Sequence, residues 1–531
     1  MSNCKNKIFL YDTTLRDGGQ TSFVDFTLKN KQDLALKLDL LGVDYIEGGW
    51  PGANPVDTDF FNSLPKLQQA KIVAFGMTHK AKLLPQNDQG FNNLLQAAIK
   101  YVTIVGKSWD FQVTEALNIT LENNLSLISN SISLLKESGK EVFFDAEHFF
   151  DGFKANQEYS MQVLDTAYQA GARWLILCDT NGGTLPDEIY KICQIVSQKF
   201  SGDFLGIHCH NDTGNAVANS LAAVKAGVRQ IQGTLNGLGE RCGNANLTTL
   251  IPTLKLKLGY DIGVSDQALK NLKRISNYLC DILNYPYDAY APYVGSAAFA
   301  HKGGLHASAV AKNTKSYEHI DPALIGNSRN ILVSNQSGKA SIIERLKELN
   351  IVLEEAKVGK LIKLIKEKES KGFAYDLADA SFAIIAYKLL YEAPEFFKLD
   401  SYKVISEKRL NAKGEWVTTS DAILKLEIFN KKIIHVAEGN GPVSALDQAF
   451  RKLLTQYFPI LANSRLSDYK VRILNSDAAT DAQIRVLVET IDDKGNRWTS
   501  VGVATDLIDA SYMALNDSIN YLLLFGEKTS N

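Results

Sequence analysis

The chain has 531 residues, which at roughly 100–200 residues per domain leaves room for two to four domains. Its 57 Lys and Arg nearly balance 59 Asp and Glu, giving a formal net charge of −2 without a polybasic block, so nucleic acid is excluded as a main partner. With 45% hydrophobic and 22% charged residues, the composition is that of an ordinary globular protein and excludes extended disorder over most of the length.

The most apolar runs, Trp174 to Cys178 and Tyr521 to Phe525, are about five residues long, against the roughly 20 that cross a bilayer. The opening MSNCKNKIFLYDTT lacks the apolar stretch of a secretory signal, so a cytoplasmic protein is expected. Six cysteines, at 4, 178, 193, 209, 242 and 280, form no CxxC pair. That speaks against a disulfide framework or zinc ribbon and for reduced thiols.

From residue 7 to about 258, short apolar β-branched runs alternate with segments of helical period, the pattern of parallel strands joined by crossover helices. In chain order the predicted strands are Lys7–Thr14, Tyr45–Gly49, Lys71–Gly76, Tyr101–Lys107, Glu141–Glu147, Trp174–Asp179, Phe204–His210 and Gln230–Leu235, each leading into a helix. Eight such units in about 250 residues have the size of a (β/α)8 TIM barrel. An open doubly wound sheet would place a glycine-rich loop after its first strand, where this chain has Thr14-Leu15-Arg16-Asp17.

Beyond about residue 259 helical stretches take over, through a loop-rich segment from Tyr285 to Ile331 and an amphipathic run from Val358 to Lys371. The lysines of that run read as a solvated helix face. Further on, Tyr402-Lys403-Val404 recurs 67 residues later as Tyr469-Lys470-Val471. Each copy leads through strand-like runs into a glycine-containing turn and a helix. These helices are predicted to start near GNGPVSAL (439–446), with Pro442 in the first turn, and near VATDLIDAS (503–511), with Thr505 or Asp506 as cap. The expected division is a catalytic barrel over residues 1–270, a helical linker region over 271–400, and a C-terminal α+β domain with a duplicated strand–strand–helix unit over 401–531. Such a tail on a barrel suggests effector binding or subunit pairing, with plain structural support as the alternative.

In Leu205-Gly206-Ile207-His208-Cys209-His210-Asn211-Asp212 the period of two puts His208 and His210 on one strand face. At the C-terminal end of a barrel strand, two inward imidazoles are placed to share a metal ion; two core histidines satisfied by neighbours are the alternative. Polar groups close other strands as well: Arg16-Asp17-Gly18-Gly19-Gln20, Glu47, Asp145 and Glu147, Asp179-Thr180-Asn181, and Glu240-Arg241-Cys242-Gly243-Asn244. Polar strand ends in this fold read as catalytic. Two imidazoles with a carboxylate, and an amide oxygen as a further donor, suit a borderline or hard divalent ion. GLGERCGN (237–244) does not keep the GxGxxG spacing of a dinucleotide loop.

LRDGGQ (15–20), followed by ten residues and Lys31, and LGIHCHNDTGNAVA (205–218) resemble both signatures of the α-isopropylmalate, homocitrate and citramalate synthase family. These are metal-dependent barrels that condense acetyl-CoA with a 2-oxo acid. GERCGNAN (239–246), HKGGLHASAV (301–310) and GNGPVSAL match further elements, so the resemblance covers nearly the whole chain. Within the family, EGGWPGANP (47–55) and DAEHFFDG (145–152) look most like a citramalate synthase branch.

The resemblance implies Asp17, His208, His210 and Asn244 as ligands of a divalent metal, Mg2+, Mn2+ or Zn2+, which the 2-oxo acid would chelate. It implies Arg16 over the keto oxygen, where a guanidinium stabilises a developing alkoxide and Lys is a poor replacement. Glu147 and His306 are implied as the acid–base pair acting on the thioester methyl group, with a structural role as the alternative for each and a neighbouring subunit as a possible source of His306. Tyr317 is a weaker candidate for the same proton chain and for substrate contact. Thr180 resembles the hydroxyl that holds the 2-oxo acid carboxylate, and His301 is left open between function and structure. Ser308 stands where many relatives carry aspartate and Gly19 where many carry glutamate; the first departure bears on the proton relay.

Expected, then, is an acyltransferase of the pyruvate branch, joining acetyl-CoA to pyruvate and feeding isoleucine synthesis. A homodimer with isoleucine as effector of the tail is expected with it. The alternatives are the same chemistry on 2-oxoisovalerate, a lyase of the same superfamily, and a non-catalytic 2-oxo acid sensor.

Overall fold

The structure is a computed structural model that describes residues 7–283, 285, 287–301, 306, 309–310, 312–331, 339–349, 351, 355–375, 378–391, 394–474 and 482–526. Cys4 and Ser308 lie outside the described residues. Two compact units divide the chain: Met1–Phe299 with Ile320–Arg329, and Ala300–His319 with Asn330–Asn531.

The first unit is built on a closed barrel of eight parallel strands in sequence order. They are β1 (Phe9–Asp12), β2 (Tyr45–Gly49), β3 (Lys71–Met77), β4 (Tyr101–Lys107), β5 (Glu141–Glu147), β6 (Trp174–Asp179), β7 (Leu205–Cys209) and β8 (Gln230–Gly233). β8 closes on β1 through Phe9↔Gln230 to Asp12↔Gly233. The helices of the outer ring are α1 (Leu28–Leu41), α2 (Pro55–Asn62), α3 (Gln89–Gln96), α4 (Leu121–Glu137), α5 (Phe149–Ala155), α6 (Gln157–Ala170), α7 (Pro186–Lys199), α8 (Ala216–Lys225) and α9 (Leu247–Pro252). Beyond them follow α10 (Asp266–Leu269) and α11 (Leu272–Leu283).

The predicted limits 7–14, 204–210 and 230–235 contract to β1, β7 and β8, and the flanking residues bond across the loops instead. Thr13 N–H donates to Gly233 O at 2.8 Å and Thr234 N–H to Ala245 O at 3.1 Å. Two apolar regions result. One lies between strands and helices, with Leu34, Leu38, Ile128, Ile132, Val163 and Leu164. The other fills the lumen with Tyr11, Tyr45, Val73, Phe143, Trp174, Ile176 and Cys178, as in a packed barrel core. Along β5 and β7, Phe143 gives way to Asp145 and Gly206 to His208, so the lumen turns polar toward the C-terminal ends of these strands.

The second unit contains β9 (Ala300–His301) paired with β10 (Asn330–Ile331), then α12 (Lys339–Glu348), α13 (Glu355–Ser370) and α14 (Asp379–Leu390). Two antiparallel sheets follow: β11 (Lys398–Leu410), β12 (Trp416–Ile428) and β13 (Lys431–Gly439) before α15 (Pro442–Leu454), then β14 (Ser464–Ile473), β15 (Ile484–Asp492) and β16 (Arg497–Ala504) before α16 (Leu507–Phe525). Each repeat therefore holds a third strand beyond the two expected. The duplicated Tyr402 and Tyr469 sit on the first strand of each sheet, and Asp506 caps α16 through the N–H groups of Ile508 and Asp509. Ala422, Leu424, Leu426, Val486 and Val488 form one core with Ala445, Phe450, Ala510 and Ala514. Among the described residues no helix is long and apolar enough to cross a membrane.

Candidate active site

β1 ends in a tight turn in which the Asp12 carboxylate accepts from Thr14 N–H and Oγ–H, both at 2.9 Å. The turn brings Arg16 and Asp17 to groups on other strands. Arg16 Nε donates to Glu47 Oε2 at 2.6 Å, and its guanidinium lies 4.0 Å over the Phe75 ring, which meets Trp50 edge-on at 5.8 Å. The fully buried Glu47 also accepts from Tyr11 OH at 2.7 Å, and Tyr11 OH contacts Thr103 Oγ at 2.7 Å. Burial disfavours the Arg16 cation, but Glu47 and Asp17 more than offset it and hold the group above its ordinary range.

Asp17 Oδ2 lies 3.3 Å from His208 Nε2 and 4.0 Å from His210 Nε2, and the two Nε2 atoms are 3.4 Å apart. All three residues are buried, and one donor atom from each falls within 4.8 Å of the others. Burial pushes the Asp17 carboxyl up, yet Arg16 and the two histidines hold it well below the usual carboxylate range. His208 is lowered by burial and raised more strongly by Asp17. His210 is pulled down to about 4 by burial and by His208.

Asn244 follows β8 and forms an antiparallel bridge with His210. Its Nδ2 donates to Leu238 O at 3.0 Å, while its buried Oδ1 has no hydrogen-bond partner among the described residues. A buried oxygen without a partner costs about 1–3 kcal/mol. Two imidazole nitrogens turned to one carboxylate oxygen, next to an unsatisfied amide oxygen, fit a divalent cation in donor type and number.

Around this group, Arg241 adopts a positive φ of 55°. It ties three loops together, with Nε and NH2 on the Asp212 carboxylate at 2.8 and 2.9 Å and NH2 also on Thr180 O at 2.7 Å. Thr180 Oγ accepts from His148 N–H at 2.8 Å, which leaves its own proton to donate. The half-buried Glu147 pairs with Lys107 Nζ at 2.5 Å. In the second unit, His306 stacks on Tyr317 with ring centroids 4.2 Å apart, both residues being exposed. His301 Nε2 lies 3.2 Å from Glu318 Oε1 in the same segment.

The structure thus brings Arg16, Asp17, His208, His210 and Asn244 into one constellation and stacks His306 with Tyr317 in the other unit. Lys107 and Gln232, the latter 2.9 Å from His208 Nδ1, were not anticipated. Gln232 had a legible signal: it shares an alternating pair with Gln230 on a strand adjacent to that of His208.

Residues 7–278, just over half of the chain, match the HMGL-like family. The chain belongs to the HMGL-like family. Beyond the HMGL-like region, residues 293–372 match the homocitrate synthase post-HMGL domain-like family and residues 376–523 the LeuA allosteric (dimerisation) domain. An (R)-citramalate synthase of Aquifex aeolicus is 47% identical over 98% of this chain and 99% of its own length. One from Synechocystis is 44% identical, with coverages of 98% and 97%. A 2-isopropylmalate synthase of Photorhabdus laumondii stands at 28% over 97% and 95%. The family read from the two sequence signatures is borne out.

Proposed function

We propose that the chain is an (R)-citramalate synthase. It joins the methyl carbon of acetyl-CoA to the keto carbon of pyruvate and then hydrolyses the thioester to (R)-citramalate and CoA. The observation that carries this reading is the end-to-end similarity to (R)-citramalate synthases, at 43–47% identity, against 28–30% for 2-isopropylmalate synthases. The product would feed isoleucine synthesis in the cytoplasm.

Asp17, His208, His210 and Asn244 would hold a divalent metal, Mg2+, Mn2+ or Zn2+, whose chemistry is to polarise a chelated 2-oxo acid as a Lewis acid. Arg16, kept cationic by Glu47, donates to the keto oxygen as it gains charge. A guanidinium already oriented by a 2.6 Å bond and a ring face does this without reorganising. The Thr180 hydroxyl, with its proton uncommitted, binds the carboxylate of pyruvate. Glu147 takes a proton from the acetyl methyl group, Lys107 steadies the carboxylate, and His306 with Tyr317 handles the proton exchanged at the new alkoxide and during thioester hydrolysis. In this reading residues 1–270 are the catalytic barrel, 271–400 the linker that completes the site, and 401–531 a regulatory domain that pairs two subunits and binds isoleucine.

The test is CoA release, read by thiol titration, with acetyl-CoA, a divalent metal and each of pyruvate, 2-oxobutanoate, 2-oxoisovalerate and 2-oxoglutarate. The expected result is a kcat/KM preference for pyruvate that His208→Ala abolishes. A preference for 2-oxoisovalerate would move the chain to leucine synthesis, and no thiol release with any acceptor would overturn the synthase reading.

A further inference from the structure

His208 turns Nε2 toward Asp17 and Nδ1 toward Gln232, whose Oε1 lies 2.9 Å away. On its other side Gln232 Nε2 donates to Asp145 Oδ1 at 3.3 Å. His208, Gln232 and Asp145 are all buried and come from β7, β8 and β5, so three strands contribute to one chain of contacts. A primary amide can turn either end toward a neighbour, whereas a carboxylate only accepts. Asp145 therefore keeps the NH2 end of Gln232 on its own side and leaves the carbonyl end for His208. A carbonyl also only accepts, so Nδ1 must carry a ring proton, and Nε2 is the nitrogen whose lone pair is open to a cation held with Asp17 and His210.

We infer that Asp145 and Gln232 are positioning residues that fix the tautomer of His208 and thereby set the affinity of the Asp17–His208–His210–Asn244 group for a divalent cation. The inference rests on the metal-dependent reading proposed above. Without Asp145 the amide is free to rotate. Its NH2 end then faces Nδ1, which must accept, and the ring proton moves to Nε2, where it blocks coordination. Groups that orient a metal-binding histidine in this way typically change metal affinity 10–100-fold. A merely space-filling polar pair would depend on size and burial but not on which of the two residues carries the carboxylate.

The experiment exchanges that polarity and reads Mn2+ binding to the full-length, metal-stripped protein at pH 7.5, by the electron paramagnetic resonance signal of free Mn2+. Asp145→Asn is isosteric and replaces an obligatory acceptor by an amide that can turn either end, so Gln232 is no longer held in one orientation and the Mn2+ dissociation constant should rise by about 10–100-fold. In the double variant Asp145→Asn/Gln232→Glu, the new carboxylate accepts from both Nδ1–H and the new amide. Binding should return to within about threefold of wild type, a coupling that independent sites would not give. An Asp145→Asn constant within about threefold of wild type, or a double variant no tighter than the single one, overturns the inference. Recovery in the double variant also separates the effect from misfolding of the single. Wild-type protein that binds Mn2+ no better than His208→Ala would overturn the metal reading itself, a result distinct from tight wild-type binding that ignores Asp145→Asn.

Discussion

Arg16 is restrained on three sides, by Glu47 at 2.6 Å, by Asp17 at 3.4 Å and by the Phe75 face at 4.0 Å. A lysine would keep the charge and lose both the planar stacking and the Nε donor. Arg16→Lys should therefore lower kcat for CoA release with pyruvate by about 10²–10³-fold, the range seen when one oriented donor to a developing oxyanion is lost. A fall of less than about tenfold would show that charge alone suffices there. Asp12 offers a test of a different kind. Burial, opposed by the two Thr14 hydrogen bonds and assisted by Glu47, pushes its carboxyl up from 3.8 to about 7. The folded chain thus binds this proton more tightly than the unfolded chain. Its contribution to stability is complete below pH 3.8 and is lost as the pH rises to about 7. Asp12→Asn removes the titration, so the melting temperature of the variant relative to wild type should rise between pH 5 and pH 8. An equal offset at both pH values in thermal scans would refute the assignment.

At the scale of elements, the turn from β2 into α2 shows how a motif becomes a rigid support. Lys31 on α1 is buried, donates to Gly48 O at 3.0 Å and pairs with Asp57, and Asp57 accepts from Trp50 N–H at 2.9 Å. Gly49 has φ +135°, and a Cβ there would lie 2.5 Å from the Asp57 carboxyl carbon. Three elements are therefore pinned beneath Trp50, whose ring meets the Phe75 that carries Arg16. Asp57→Ala would strand a buried ammonium and should cost about 3–5 kcal/mol in denaturant unfolding. Lys31→Met added to it should recover part of that loss, since the orphaned charge is then gone. A double variant no more stable than Asp57→Ala would count against the ion pair as the cause.

Much of this scale was legible in the chain. Four of the eight predicted barrel strands keep their limits (β2, β4, β5 and β6), because runs buried on both faces between turn residues have few other readings. His208 and His210 declared a shared face through a period of two. Lys107 did not, because one polar residue in an apolar strand has no meaning until the neighbouring strand supplies its partner, and the alternation of Gln230 with Gln232 marks a strand face without naming His208 as the partner. The third strand of each C-terminal repeat was hidden for a related reason. In β13 the residues Lys431, Lys432, His435 and Glu438 interrupt the apolar alternation of a strand at the edge of its sheet, where one side of the ladder stays open. The stacking of His306 on Tyr317 joins residues 11 apart in sequence, beyond the near-neighbour spacings that a helix or strand period brings together.

On the scale of the whole molecule, the two units have separate apolar cores. Phe144 is fully buried between strand and helix layers of the first unit, and Phe450 is fully buried between α15 and the paired sheets of the second. A unit with its own core can unfold on its own. Truncating either ring removes a large side chain from a packed interior and should cost about 3–5 kcal/mol. Differential scanning calorimetry of the full chain should resolve two transitions. Phe450→Ala should lower one of them by about 5–10 °C and Phe144→Ala the other, each variant leaving its counterpart in place. If either substitution moved both transitions together, or if the chain melted in a single step that both variants shift alike, the cores would be thermodynamically one. The C-terminal repeats would then contribute to the stability of the barrel as well as carrying the pairing and effector roles proposed for them.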